Sequence, residues 1–367
     1  MTIENQSVAT VVDTTRRNLT GLLCGSGLLT LAGCGGGGGG GSSSAGISLL
    51  AGGLGAGASS QPGQVDGEGA QARFANMGPS CVDQLGNFYV IDTLAKTLRK
   101  VTLTGSAATL FTDFPSDGGL AVDAQGNFYG VRNRAIIKVA PSGAQQVWAG
   151  QTGGLGFADG AGAMASFASP MGLVFDAQGN LLVGDSPNSA SPASFSAYHD
   201  YTYGATIRKI TPAGVVSTIA GIAGRVFSEY DVYVSPTPFP RDVTYIWPKA
   251  LATDATGRIW VLDRSGVRRI DAQGSTPVWL SRDPNPTSMA YAVGSSGEVY
   301  VARGSVISKL SADGTQTVVA GVNEPGQQGV LLGALPGRLG EVTSIACVSA
   351  NVLYACTENS ILRIQMA

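Results

Sequence analysis

FADGAGAMASFASPMGLVFDAQGNLLVGD (157–185) and, after an insert, ATIRKITPAGVVSTIAG (205–221) form the stretch that decides the fold. Four short apolar runs stand out in it, at 172–175, 180–184, 206–211 and 215–220, separated by Gly, Pro, Asp and Asn. Runs of this length, rich in Val, Ile and Leu and bounded by turn residues, read as strands. Four antiparallel strands in one unit make a propeller blade.

Working outward, the same unit recurs along the chain. Its second strand and the turn before it appear as DQLGNFYVID (83–92), DAQGNFYGVR (123–132), DAQGNLLVGD (176–185), DATGRIWVLD (254–263), GSSGEVYVAR (294–303) and VSANVLYACT (348–357). Tyr89, Tyr129, Leu182, Trp260, Tyr300 and Tyr354 align, at a base spacing of 40 residues that widens where loop is added. The third strand ends each time in a basic residue: Lys100, Lys138, Lys209, Arg269, Lys309 and Arg363. A fourth strand follows in the pattern of VVSTIAG (215–221) and TQTVVAG (315–321). The sixth unit lacks it, and GISLLAG (46–52), ahead of the first unit, matches it. The expectation is an all-β, six-bladed β-propeller of four-stranded antiparallel blades over 46–367, its ring closed by the N-terminal strand. Such closure removes the open edge that the last blade would otherwise expose.

DGEGAQARF (66–74) and DGAGAMASF (159–167), with DAQGN and IRKITPAGVVSTIAG, resemble the NHL repeat. The resemblance covers about 46–367 and implies the propeller fold. Function is grafted onto folds and is not implied with it. Some relatives of NHL propellers bind RNA, but the net charge of −2 and the 13% of charged residues leave no clustered basic face for nucleic acid.

The N-terminus reads as a targeting segment. Arg16 and Arg17 precede a modest apolar run over 19–33, too short to span a bilayer and suited to a signal peptide (1–33). Leu31-Ala32-Gly33-Cys34 resembles a bacterial lipoprotein cleavage box, so Cys34 is expected to carry the lipid anchor. Thr15-Arg-Arg-Asn-Leu19 resembles a twin-arginine signal; ordinary Sec export is equally compatible. GGGGGGGSSS (35–44) has no side chains to bury and reads, within 34–45, as a tether spanning roughly 17–19 Å on average. Gly rather than Asp after Cys34 fits sorting to an outer membrane, on its periplasmic or surface side. Cys24 leaves with the signal, and Cys81 aligns with Ala121, Val174 and Ala252 on an inner strand and reads as a buried thiol. Cys347 and Cys356 lie on two arms of one hairpin. An export compartment would permit a bridge there, provided the register brings them together.

Several recurrent residues read as structural. Asp83, Asp123, Asp176 and Asp254 each open a D-x-x-G turn, where Asp caps and Gly supplies positive φ. Asp92, Asp185 and Asp263 read as in-blade partners for a third-strand Arg rather than as a metal ring, because Arg132, Arg303 and Thr357 interrupt the set. The glycines of 153–162 lack the Lys of a phosphate loop, so no cofactor is expected.

Two departures from the repeat mark the candidate site, since loops on a rigid scaffold tend to hold function. SPNSASPASFSAYHDYTYGA (186–205) interrupts the third unit, and GRVFSEYDVYVSPTPFPRDVTYIWP (224–248) joins it to the fourth. Strand alternation brings both to the same face. Tyr198, His199, Tyr201, Tyr203, Tyr230, Tyr233 and Trp247 are the candidate ligand-binding residues. Aromatic bodies with polar tips suit sugar stacking or a protein hot spot, and equally suit packing of the loops onto the rim. His199 beside Asp200 has the makings of a general base, although a lone loop histidine is more often solvated. The metal-dependent lyases on NHL-like propellers use several histidines, and this chain has one. No catalytic or metal-binding residue is assigned. The reading is a lipid-anchored, monomeric binding or scaffold module for a protein or glycan, with no nucleic-acid partner. The alternative is a lactonase- or lyase-like propeller enzyme with an oxygen-liganded metal in the central channel. The first-strand sequences GPSCV, GGLAV, MGLVF, KALAT, TSMAY and TSIAC offer such a metal almost no donors.

Overall fold

The computed structural model describes residues 44–54, 63–186, 201–203, 205–222, 226–228, 248–263, 266–271, 274–278, 289–311, 314–322 and 329–367. The expected signal peptide, Cys34 and most of the expected tether lie outside them. The described residues contain no α-helix, and their strands form six antiparallel blades. The inner strands of all six neighbouring pairs touch, which closes the ring. The propeller expected from the repeat is the fold found.

Blade 6 shows how closure works. Gly46–Gly52 pairs antiparallel with Ser360–Gln365, with Ile47 opposite Ile364 and Leu49 opposite Leu362. A register shift between Leu49 and Ala51 turns the strand over. Ile47 therefore enters the core between blades 5 and 6, while Leu50 and Ala51 enter the core between blades 6 and 1. One strand thus seals both sides of the last blade. The same shift recurs in the outer strands ending at Phe111, Ala149, Gly221 and Ala320.

The recurrent Ala-Gly that ends these strands has a steric cause. Ala51, Ala149 and Ala320 are fully buried. The glycine after each adopts φ of +100°, +86° and +82°, and Gly221 follows Ala220 at +83°. A Cβ at Gly52, Gly221 or Gly321 would lie 2.0–2.3 Å from the carbonyl oxygen of Asn359, Ala205 or Ser305. Only glycine satisfies both conditions.

The basic residue ending each third strand is also explained by register. Lys100 pairs with Tyr89, Lys138 with Tyr129, Arg269 with Trp260, Lys309 with Tyr300 and Arg363 with Tyr354. The cation lies 5.7–6.0 Å from the ring centroid in the first four. A long stem over an aromatic face keeps the charge wet and shields the ring.

Among the described residues, outer edges are covered in three blades. Short strands at Gly67–Glu68 and Gly160–Ala161 cap the edges of blades 1 and 3, and Gly333 bridges Ile47 on blade 6. Covered edges do not template further strand pairing.

Candidate functional site

The two faces of the ring differ. One, the turn face, carries the tight turns described between first and second and between third and fourth strands. In the D-x-x-G turns, Asp83 accepts N–H bonds from Leu85 and Asn87, the Asn87 amide and the Tyr89 hydroxyl. Asp123 does the same for Gln125, Asn127 and Tyr129. Asp254 accepts from Thr256, Arg258 and the Trp260 indole; burial opposes its ionisation, yet these donors hold the carboxyl at about 2. These aspartates are turn caps, as the sequence implies.

The opposite, insert face is where, among the described residues, second strands turn into third strands and fourth strands lead toward the next blade. The connectors into blades 1 and 3 are clipped down by a repeated device. Arg99 is fully buried, lies 4.8 Å over the Phe74 ring and donates to Asp66, Val65 O and Arg73 O. Asp66 in turn accepts from the Thr109 backbone and hydroxyl. Blade 3 repeats this with Arg208 over Phe167, Asp159 and Thr218. Burial opposes ionisation of both aspartates, but the Thr and Arg donors keep them below the usual carboxylate range. The DGxGxxAxF pattern is thus a clasp: Asp ties the loop to two strands, and Phe floors the arginine.

The in-blade Asp–Arg pair is direct in blade 3, at 3.2 Å for Asp185–Arg208, and looser in blade 4, at 3.6 Å for Asp263–Arg268. In blade 1, Asp92 instead accepts the Ala75 and Asn76 N–H groups. Asp185 is fully buried and also accepts from Ala168 and Ser169; burial pushes it up to about 7 against these donors. Blades 2, 5 and 6 lose both partners together: opposite Gly130, Val301 and Ala355 stand Ile137, Ser308 and Leu362.

Of the candidate ligand residues, Tyr201 and Tyr203 lie on a short strand, Tyr201–Tyr203, that pairs antiparallel with Val226–Ser228. The two inserts thereby share a two-stranded sheet, with Tyr203 opposite Val226. Tyr198, His199, Tyr230, Tyr233 and Trp247 lie outside the described residues. The bridge between Cys347 and Cys356 does not form, and both thiols are free. Cys347 pairs with Leu353 and Cys356 with Ser344. Cys347 joins the core toward blade 5 and Cys356 the core toward blade 1, so the thiols face opposite sides of the sheet. Cys81 is free as well, and burial pushes its thiol up.

The channel wall is formed by the inner strands. The Ser80 and Ser344 hydroxyls bond across blades 1 and 6, and Thr253 donates to Phe175 O across blades 4 and 3. Gly119 N–H donates to Met171 O at 2.5 Å, which draws blades 2 and 3 together. Among the described residues, no three of His, Cys, Asp and Glu stand together as a metal site. Lys249, at the insert-face end of the blade 4 inner strand, is half-buried, and burial holds its ammonium below the usual range. The sequence reading passed over Lys249; the signal was a lysine at the head of KALAT, where the other five first strands have no charge.

No protein-family model and no curated protein matches the sequence. Among solved structures, the chain is similar to a Bacteroides thetaiotaomicron protein of unknown function, at 14% identity and a TM-score of 0.57 over 87% of this chain and 75% of that one. It is similar to a gluconolactonase from Xanthomonas campestris, at 12% identity and a TM-score of 0.54 over 80% and 86%. It is also similar to the calcium-binding protein regucalcin from Agrobacterium tumefaciens, at 12% and 0.51 over 81% and 93%. At 12–14% identity, these likenesses speak to architecture, and with the blade topology they establish that the chain is a six-bladed β-propeller.

Proposed function

We propose that the chain is an envelope-anchored, NHL-like binding module that recognises a protein or glycan through its insert face. The observation behind this is the pairing of Tyr201–Tyr203 with Val226–Ser228. Two loops that interrupt the repeat at separate points meet in one small sheet, beside the ends of the blade 3 strands from which they leave. A rigid ring presenting an extra aromatic-rich element is the arrangement of a recognition surface. The lipoprotein box at Cys34 supports membrane attachment.

A second reading, a lactonase-like enzyme, is favoured by the gluconolactonase among the structural neighbours. It requires donors at the channel. The described first strands offer the hydroxyls of Ser80, Thr253, Tyr291, Ser344 and Ser349 and no carboxylate.

A thermal-shift screen against calcium, zinc, a chelator, glycans and cell-wall fragments separates the two. A ligand present at a hundred times its Kd adds about 2.7 kcal/mol and shifts the melt visibly. A shift with a glycan that Tyr201→Ala abolishes supports recognition by the insert face. Destabilisation by chelator supports the enzyme and defeats the binding reading.

A further inference from the structure

We infer that the seam between blades 6 and 1, on the turn face, binds a small aliphatic carboxylate. The site lies on the other face from the inserts and stands apart from the insert-face reading. It starts from an acid that blade 6 lacks. In blades 1 and 2 the second-strand tyrosine donates its hydroxyl to the turn aspartate, at 2.9 Å from Tyr89 to Asp83 and 3.0 Å from Tyr129 to Asp123. In blade 4 the Trp260 indole does the same to Asp254. The corresponding stretches of blades 3 and 5 also carry an acid, Asp176 and Glu298. The turn of blade 6, Val348-Ser-Ala-Asn351, has none, and Val348 stands where blade 1 has Asp83.

Tyr354 occupies the same rung as Tyr89. It pairs with Ala346 and Arg363, as Tyr89 pairs with Cys81 and Lys100. Tyr354 is fully buried, and its hydroxyl has no hydrogen-bond partner. Such a group is unfavourable in a native core and calls for an explanation. Burial pushes the phenol up, while the exposed Arg363 beside it pulls the other way. Blade 1 thus combines a hydroxyl, a cation and a carboxylate, and blade 6 has only the first two. A carboxylate supplied from outside completes the set through charge-assisted hydrogen bonds.

The surface beside Val348 gives the body of the ligand. Two hairpin tips of blade 1 depart from the repeat there. Leu85 stands where blades 2 and 3 have Gln125 and Gln178, and Leu103 where they have Pro141 and Pro212. The two leucines are 77% and 50% exposed. A Cβ at Gly86 would meet Leu103 Cδ2 at 3.1 Å and Val348 Cγ1 at 3.6 Å, so these side chains flank Gly86 across the blade boundary. Val348 is partly buried and packs on the cluster that holds Tyr354. The carboxylate reaches Tyr354 past a rotated Val348 side chain, and the alkyl chain lies on Leu103 and Leu85. An apolar wall with a few convergent polar groups is the usual make-up of a small-molecule site.

The test is calorimetric titration of the full chain with octanoate. The chain carries Cys34→Ser, so that no acyl group of its own competes. A Kd below about 1 mM is expected, with acetate and 1-octanol each at least tenfold weaker. Tyr354→Phe removes only the unpaired oxygen and is expected to weaken octanoate at least tenfold. Val348→Asp restores the acid of blades 1 and 2 and is expected to do the same without lowering the melting temperature. If Val348→Asp does lower it, Tyr354→Phe decides alone. Wild type that ignores octanoate at 1 mM, or Tyr354→Phe that binds it as tightly as wild type, overturns the site. Octanol binding as tightly as octanoate overturns it as well, since the contact is then apolar only.

Discussion

Asp159 and Arg208 are 49 residues apart in the chain and 2.8 Å apart in the fold. The contact joins the connector into blade 3 to that blade's third strand, and Thr218 on the fourth strand completes the clasp. Arg208 is fully buried and meets the carboxyl groups of both Asp159 and Asp185. Asp159→Ala is expected to cost about 1.5–3 kcal/mol, the range for hydrogen bonds to charged groups. Asp66→Ala should do the same in blade 1, where Asp66 meets Arg99 at 2.9 Å. Denaturant midpoints of the two variants against wild type check this; a loss below about 0.5 kcal/mol in both would reduce the clasp to surface decoration.

Ring closure predicts a second effect. Leu50 sits in the core between blades 6 and 1 with Val101, Tyr354 and Ile361. Leu50→Ala is expected to destabilise by about 2–5 kcal/mol, as for other buried Leu truncations. Deleting 46–52 should lower the melting temperature sharply and promote aggregation, because it bares the Ser360–Gln365 edge and two core clusters at once. A deletion variant with an unchanged melting curve would refute closure by this strand.

The stability profile with pH has two opposing contributions. Asp254 is held at about 2, below its ordinary 3.8, so its ionised form is favoured by folding. That stability is complete above pH 4 and is lost as pH falls from about 4 to 2; the shift corresponds to about 2 kcal/mol. Asp185 is raised to about 7, so its protonated form is favoured by folding. Its contribution is complete below pH 4 and is lost as pH rises from about 4 to 7. Denaturation midpoints across pH 2–8 should show Asp254→Asn flattening the acid limb. Asp185→Asn should flatten the segment from pH 4 to 7. An unaltered profile in either variant would reassign that limb to other groups.

Much of this fold is legible in the sequence because the repeat exposes it. The D-x-x-G turns, the Tyr/Lys ladder and the terminal Ala-Gly each recur at the same place in several blades, and each has a local cause in capping, cross-strand packing or sterics. The cysteines were not legible. Whether Cys347 meets Cys356 depends on the register of the hairpin, which sets Cys356 opposite Ser344, three residues from Cys347, and so puts the two side chains on opposite faces. The clasp was half legible: Asp66 and Asp159 stand out in the repeat, but their partners lie 33 and 49 residues away and only the fold joins them. The inserts lack any repeat to align with, so their aromatic content was readable and their shared sheet was not.

The free thiols give a direct check on the observed register. Cys347 and Cys356 are set apart by three residues along paired strands, roughly 10 Å, beyond the span of a disulfide. Reductant is therefore expected to leave the melting temperature unchanged. Burial pushes the Cys347 thiol up to about 12 and the Cys356 thiol higher still, so both should resist alkylation at pH 8 until the protein is denatured. Thiol titration with and without denaturant measures this. A melting temperature that falls on reduction would restore the bridge.

Finally, the insert sheet predicts a separation of stability from recognition. Tyr201–Tyr203 and Val226–Ser228 pair with each other in a sheet of their own, apart from the blade 3 sheet. Tyr201→Ala is thus expected to leave the ring's melting temperature within about 1–2 °C, since its strand lies outside the blade sheets and a change there is expected to cost within about 0.5 kcal/mol. The same variant should lose at least tenfold in affinity for the ligand found by the thermal-shift screen, a loss of about 1.4 kcal/mol that one aromatic anchor readily accounts for. Calorimetric titration of wild type and variant with that ligand decides the matter. If Tyr201→Ala instead lowers the melting temperature by many degrees and leaves affinity untouched, the sheet is a brace for blade 3 and the recognition surface lies elsewhere on the ring.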